Sequence, residues 1–377
     1  MKPGPLAAAL LCCTLGASLQ WLTVHFNYGG NATALFMHGS QFPLPAGLAS
    51  EHIYVFPNSG GYDGQSYHYI AHDPFERSDI GRAVPDPSLR YPRILVPGMA
   101  YLLALGRPAW IDASFFACNL FFLGLGAYWL AILLRRIGIR PMFAALYVIV
   151  PVAIVSLDRM LVDLALASLA LGFAVYVRPE RPVELYLILA AAALCRESGF
   201  FLFAAWAIHL AWQRRFRQIA IYATATLPGI AWILWVRTQI PGAAALGLGV
   251  FVPFSGMVDA ALHPRGFPFS PLVVAVIHAT YALQIAGILL AIVLAFRDWR
   301  RVAADPLRTA CLLWALYAIV IPPGIYDDPI SSPRVLAPLL LFQFLQNTRV
   351  SRLPLLLVAP RVWLELAPQF LGILHGI

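Results

Sequence analysis

Charge is scarce in this chain. Only 12% of its 377 residues are Asp, Glu, Lys or Arg, against 60% hydrophobic, and the mean hydropathy is +0.74. Soluble domains carry roughly 25% charged residues, so this composition excludes an ordinary soluble globule and marks a multi-spanning membrane protein. Lysine is nearly missing: Lys2 is the only one, and every other basic residue except histidine is arginine. The arginines fall in short clusters between apolar runs, the pattern that encodes membrane topology. The formal charge of +8 therefore implies no nucleic-acid partner. Cysteine is sparse: Cys12, Cys13, Cys118, Cys195 and Cys311 lie in or beside apolar segments, no CxxC spacing occurs, and they read as small core residues. No internal repeat is visible. The first apolar run lacks a small-x-small cleavage site, so it reads as a retained anchor rather than a cleaved signal.

Long apolar runs are what the chain has. They cover roughly 6 to 24, 110 to 134, 141 to 157, 161 to 177, 219 to 236, 271 to 296, 307 to 323 and 353 to 375. Each is at or near the ~20 residues that cross a ~30 Å hydrocarbon core, and each must be helical because lipid offers the backbone no partners. The run 184 to 212 is too long for one span and is interrupted by Arg196 and Glu197. Its basic flanks, "VRPERP" and "QRRFRQ", predict a hairpin with "CRES" at the outer tip. The piece 92 to 106 predicts a short surface helix. With Lys2 and the N-terminus cytoplasmic, the clusters "RRIGIR", "VRPERP", "QRRFRQ", "FRDWRR" and "NTRVSR" all fall on one side. The expectation is an all-α integral membrane protein of about eleven transmembrane helices and one polytopic domain. It has a first span at 6–24, a long extracytoplasmic loop with short surface helices at 25–109, and the remaining bundle at 110–377.

The same count sends a second set of residues to the outer face: Asp63 and Asp73 in the first loop, Asp158 and Asp163 around one span, Arg196 and Glu197 at the hairpin tip, and Asp327, Asp328 and Arg334 in "YDDPISSPR". Ionisable groups at membrane depth are costly and tend to be functional. Plainer readings stand beside this one. Asp63 can be the N-cap of a short helix over Gly64 to His72 ended by Pro74. Asp158 can cap its span, with Arg159 and Asp163 forming an i,i+4 pair. His68 and His72 share one helical face, which admits a metal pair, but nothing else in the sequence completes a ligand pattern and no metal ligand is assigned. Tyr62, Tyr67 and Tyr69 read either as an interfacial aromatic belt or as a sugar-stacking platform. Arg361 and Glu365 are expected to pair at i,i+4 within the last apolar run.

"YDGQSYHYIAHDP" in the long loop, "RYPRILVP" leading into a short helix, "LCRESGFFL" at the hairpin and the late "SSPRVLAPLLL" together resemble bacterial multi-pass proteins related to the GT-C glycosyltransferases. The resemblance covers most of the chain. It implies helices around an outward-facing cavity in a bacterial inner (plasma) membrane. It also implies transfer of a sugar from a polyprenyl-phosphate carrier to a glycan, lipid or protein acceptor in envelope assembly. Carried over, Asp63 is the catalytic base of an inverting displacement. Arg93, Arg196 and Arg334 serve the leaving phosphate, Glu197 orients Arg196, Gln65 and Tyr67 belong to the substrate site, and Asp158 or Asp163 assists the acceptor or holds a divalent cation. Relatives often carry two near-adjacent acids in the first loop, whereas here Gly64 and Gln65 follow Asp63. A transporter or flippase of a lipid-linked glycan, and a non-catalytic scaffold of an assembly complex, remain alternatives because a fold alone does not fix function.

Overall fold

The computed structural model describes residues 4–243, 252–263, 266–297, 299–346 and 348–376; Lys2, Asp298 and Asn347 of the topology argument lie outside them. The described chain is mostly helical, and its strands among the described residues are a two-residue parallel pairing of His38–Gly39 with Val55–Phe56 in the long loop. Five helical segments are long and apolar enough to cross a bilayer: Pro5–Asn27, Pro108–Arg136, Phe216–Gln239, Pro271–Arg297 and Arg349–His375. Pro141–Ile149 and Pro151–Arg159, bent by 49° at their junction, make a sixth candidate. Helix length thus accounts for five or six of the roughly eleven expected crossings. Asp163–Tyr176 and Pro182–Cys195, at 14 residues each, reach only about 21 Å at 1.5 Å per residue, short of a hydrocarbon core.

Proline sets many of the boundaries. Helices begin at or next to Pro5, Pro108, Pro141, Pro151, Pro182 and Pro306, where the missing N–H costs nothing because the first-turn donors lack intrahelical partners anyway. Val150, forced into an extended conformation before Pro151, produces the 49° bend. Leu95–Leu103 forms the short helix predicted over 92 to 106, with Leu102, Leu103 and Leu105 exposed. The helix Asp163–Tyr176 is buried from Asp163 to Val175, as an apolar-all-round sequence requires. It packs against Ile111–Arg136, Pro182–Cys195 and Ala337–Leu345.

The run 184 to 212 is divided into Pro182–Cys195 and Phe200–Trp212, separated by an extended Arg196 and a single turn at Glu197–Gly199. A side chain at Gly199 would collide with the Ala192 carbonyl, so the turn closes only with glycine there. Gly199→Ala is expected to cost about 1–3 kcal/mol through overpacking. Thermal unfolding in detergent checks this; an unchanged midpoint would mean that the turn shifts freely.

Arginines from three of the sequence clusters meet at one end of the bundle. Arg136, Arg178, Arg297 and Arg308 line one cavity of about 590 Å³. Arg136 closes the helix that Asp112 opens, and at 1.5 Å per residue those two positions are about 36 Å apart. Asp112 contacts His68 of the long loop. The contact with the long loop and the clustered arginines therefore lie at opposite ends of this helix.

Candidate functional site

The helix Asp63–His72 brings the long loop onto the bundle. Gly64 permits the approach, since a Cβ there would overlap the Arg159 carbonyl oxygen. Asp63 does not cap this helix. Tyr62 occupies the N-cap position, and the Asp63 carboxylate turns instead to two guanidinium groups. Arg334 Nη2 donates to Asp63 Oδ2 at 2.5 Å, and Arg90 pairs with Oδ1. Arg334 Nη1 donates to Asp163 Oδ2 at 2.8 Å, and Arg196 holds the other Asp163 oxygen. An unbroken chain Arg90–Asp63–Arg334–Asp163–Arg196 results, drawn from four parts of the sequence. Beside it, Arg93 Nε faces the Glu197 carboxylate at 3.2 Å and Arg93 Nη1 donates to the Tyr67 hydroxyl at 3.1 Å. Arg334 also lies over the Tyr62 ring, as does Arg159. The Tyr62 hydroxyl donates to Asp328 Oδ2 at 2.5 Å.

The inner members are buried, with side-chain exposures of 2% for Asp163 and 4% for both Arg196 and Arg334; Asp63 at 13% and Glu197 at 46% form the rim. Burial alone raises the Asp63 carboxyl, and the Arg334 and Arg90 guanidiniums outweigh it, holding the group well below the ordinary carboxylate range. Asp63 is therefore ionised and weakly basic while both arginines hold it. Arg334 Nε and Arg90 Nε are buried without a hydrogen-bond partner, so the site keeps unspent cationic donors. Such donors suit phosphate oxygens.

The structure joins Asp63, Tyr67, Arg93, Asp163, Arg196, Glu197 and Arg334 in one site and corrects several sequence assignments. Glu197 does not orient Arg196: it pairs with Arg93, and Asp163 holds Arg196. Arg159 pairs with Asp158 at 3.5 Å rather than with Asp163, because the left-handed Met160 ends the helix between them. Asp158 sits at a helix C-terminus, not at an N-cap. Both Asp163 oxygens are occupied by arginines, a setting that repels a divalent cation. Gln65 is a brace for the loop: its Oε1 accepts from the Gly39 amide at 3.2 Å and its Nε2 donates to the Gly60 carbonyl at 3.1 Å. Tyr67 and Tyr69 are buried and belong to the core rather than to an interfacial belt. Arg361 and Glu365 pair as expected, at 3.1 Å.

Sequence reading missed Arg90, Asp328 as the partner of Tyr62, and the surroundings of the two histidines. His68 Nε2 lies 2.7 Å from Asp112 Oδ1 and 3.1 Å from His72 Nε2; His72 Nε2 lies 3.3 Å from Glu51 Oε2. Burial, with His68 alongside, lowers His72 to about 3 and keeps its imidazole neutral at physiological pH. Asp73, the nearby acid, is elsewhere, accepting from the Arg77 and Ser78 amides.

Arg334 spans Asp63 and Asp163 with two different nitrogens, which one ammonium cannot do. Arg334→Lys is therefore expected to uncouple the two acids and to lose most of the site's function while keeping the charge. Lys serving as well as Arg would reduce the requirement to a point charge. No family model, curated protein or solved structure matches the chain.

Proposed function

We propose that the chain is a membrane glycosyltransferase of bacterial envelope assembly. In this reading it takes a sugar from a polyprenyl-phosphate carrier and places it on a glycan, lipid or protein acceptor at the periplasmic or outer face. The observation that supports this best is the shared grip on Asp63: a rim carboxylate is held by two arginines that retain unpartnered donors, with two more arginines alongside. A displacement at an anomeric carbon needs a base for the acceptor hydroxyl and cations for the departing phosphate. Here the arginines that touch the base also carry Nε donors with no protein partner, which a phosphate would engage once it displaces the carboxylate.

The order of events follows from the electrostatics. Donor phosphate entering beside Arg90 and Arg334 draws their charge away from Asp63 and restores its basicity. Asp63 then accepts the acceptor hydroxyl proton as that oxygen bonds to the anomeric carbon. The bond from that carbon to the phosphate oxygen breaks, and its electron pair leaves with polyprenyl phosphate. Configuration inverts in this single step. Arg93, set by Glu197 and Tyr67, and Arg196, set by Asp163, complete the cationic wall. Protein in nanodiscs is expected to bind polyprenyl phosphate, with Arg90→Gln weakening binding. Equal affinity in the variant would remove Arg90 from the phosphate site.

One observation favours a second reading. Two helix breaks, at 160–162 and at Arg196–Gly199, meet at the buried ion network, and interrupted helices at midplane sites are a feature of transporters. A lipid-linked glycan transporter would move the intact donor across vesicles and release no polyprenyl phosphate.

A further inference from the structure

We propose that Glu51, His68, His72 and Asp112 form a site for one divalent transition metal of the zinc class, which staples the long loop to the membrane bundle. The site is separate from the arginine network, and the proposal does not rest on the glycosyltransferase reading. One ligand atom from each residue lies within 4.8 Å of all the others. The shortest separations are 2.7, 3.1 and 3.3 Å. Four ligands at zinc–nitrogen and zinc–oxygen distances of ~2.0–2.2 Å stand about 3.3 Å apart at tetrahedral corners, so the cluster is already near the required size. The four come from three places: the end of the turn Ala46–Glu51, one face of Asp63–His72, and the first turn of Ile111–Arg136. No short sequence spacing records that set.

The surroundings fit the same assignment. His68 Nδ1 lies 3.0 Å from His38 Nε2, and His38 Nδ1 lies 3.3 Å from the Tyr69 hydroxyl. This fixes the ring and leaves His68 Nε2 to face the cluster, the orienting contact that metal-bound imidazoles use. Phe36 stacks on His68 at 4.0 Å. Two imidazoles with two carboxylates select zinc, or manganese and iron at lower affinity, over calcium and magnesium, which prefer all-oxygen sites. Asp112, 29% exposed at its side chain, lies on the open side of the cluster and gives an ion its route in. The metal would tie a loop segment, the helix that carries Asp63 and the helix Ile111–Arg136 together.

The test uses the full-length protein in nanodiscs, stripped with chelator and then dialysed against zinc, manganese or magnesium. Metal content by mass spectrometry is expected to give one zinc per chain, chelator to lower the thermal midpoint, and zinc to restore it. Glu51→Gln and Asp112→Asn should each weaken zinc binding by at least 10-fold, and His38→Gln by about 10-fold through the lost orienting contact. Wild-type protein that holds no more zinc than the Glu51→Gln/Asp112→Asn double variant, with a midpoint indifferent to zinc, overturns the site. If the double variant fails to insert, cobalt decides. A four-coordinate cobalt spectrum on wild-type protein, displaced by zinc, supports the site, and an aqueous six-coordinate spectrum overturns it.

Discussion

Asp163→Asn is expected to lower the stability of the folded protein by about 3–5 kcal/mol, the cost of removing one partner from a buried ion pair. The size follows from what Asp163 holds. Arg196 occupies one of its oxygens and Arg334 the other, all three side chains being nearly inaccessible to water. Asparagine keeps one acceptor and replaces the other with a donor, so one guanidinium meets an amide N–H in place of a carboxylate. Arg334 keeps Asp63, but Arg196 has no second carboxylate among the described residues. Unfolding in detergent followed by tryptophan fluorescence measures the loss. A variant within about 1 kcal/mol of wild type would mean that water enters the network freely, since exposed ion pairs contribute only about that much.

Asp63→Asn is expected to cost less stability than Asp163→Asn, because its carboxylate is the more exposed of the two, and to cause a large loss of function. Its carboxylate lies at the rim, and Arg334 retains Asp163 when Asp63 is neutralised. If Asp63 is the general base, transfer falls by about 10²-fold or more. Donor binding should hold or improve, because the arginines gain a free hand for phosphate. That split, weaker turnover with unimpaired binding, separates a catalytic carboxylate from a structural one. Turnover and binding falling together would make Asp63 a positioning group for Arg334 and Arg90.

Much of the architecture was legible because its causes are local. Apolar runs place the five or six segments long enough to cross a membrane, prolines mark the starts of several helices, and Pro74 follows the end of the Asp63 helix as expected. Arginine clustering identified one end of the bundle, and three clusters do share a cavity there. The pairing inside the site was not legible, for reasons that the backbone explains. Arg196 is extended, with φ of −165° and ψ of 157°, and successive side chains of an extended chain point to opposite sides. Neighbours in sequence, Arg196 and Glu197 thus serve different partners. Met160 interrupts the helix that an Arg159–Asp163 pair requires. The metal cluster had half a signature, the His68 and His72 spacing; Glu51 and Asp112 come from 17 residues upstream and 40 residues downstream of it, beyond any local pattern.

The central claim is that Asp63 and its arginines move a sugar from a phosphate carrier. The direct measurement incubates purified protein in nanodiscs with a panel of polyprenyl-phosphate sugars and acceptors, and follows release of polyprenyl phosphate by mass spectrometry. The account predicts release from at least one donor by wild-type protein and its loss in Asp63→Asn at unchanged donor binding. Release at the wild-type rate by inserted Asp63→Asn, or bound donor that is never cleaved by wild-type protein but crosses a vesicle membrane intact, would contradict it.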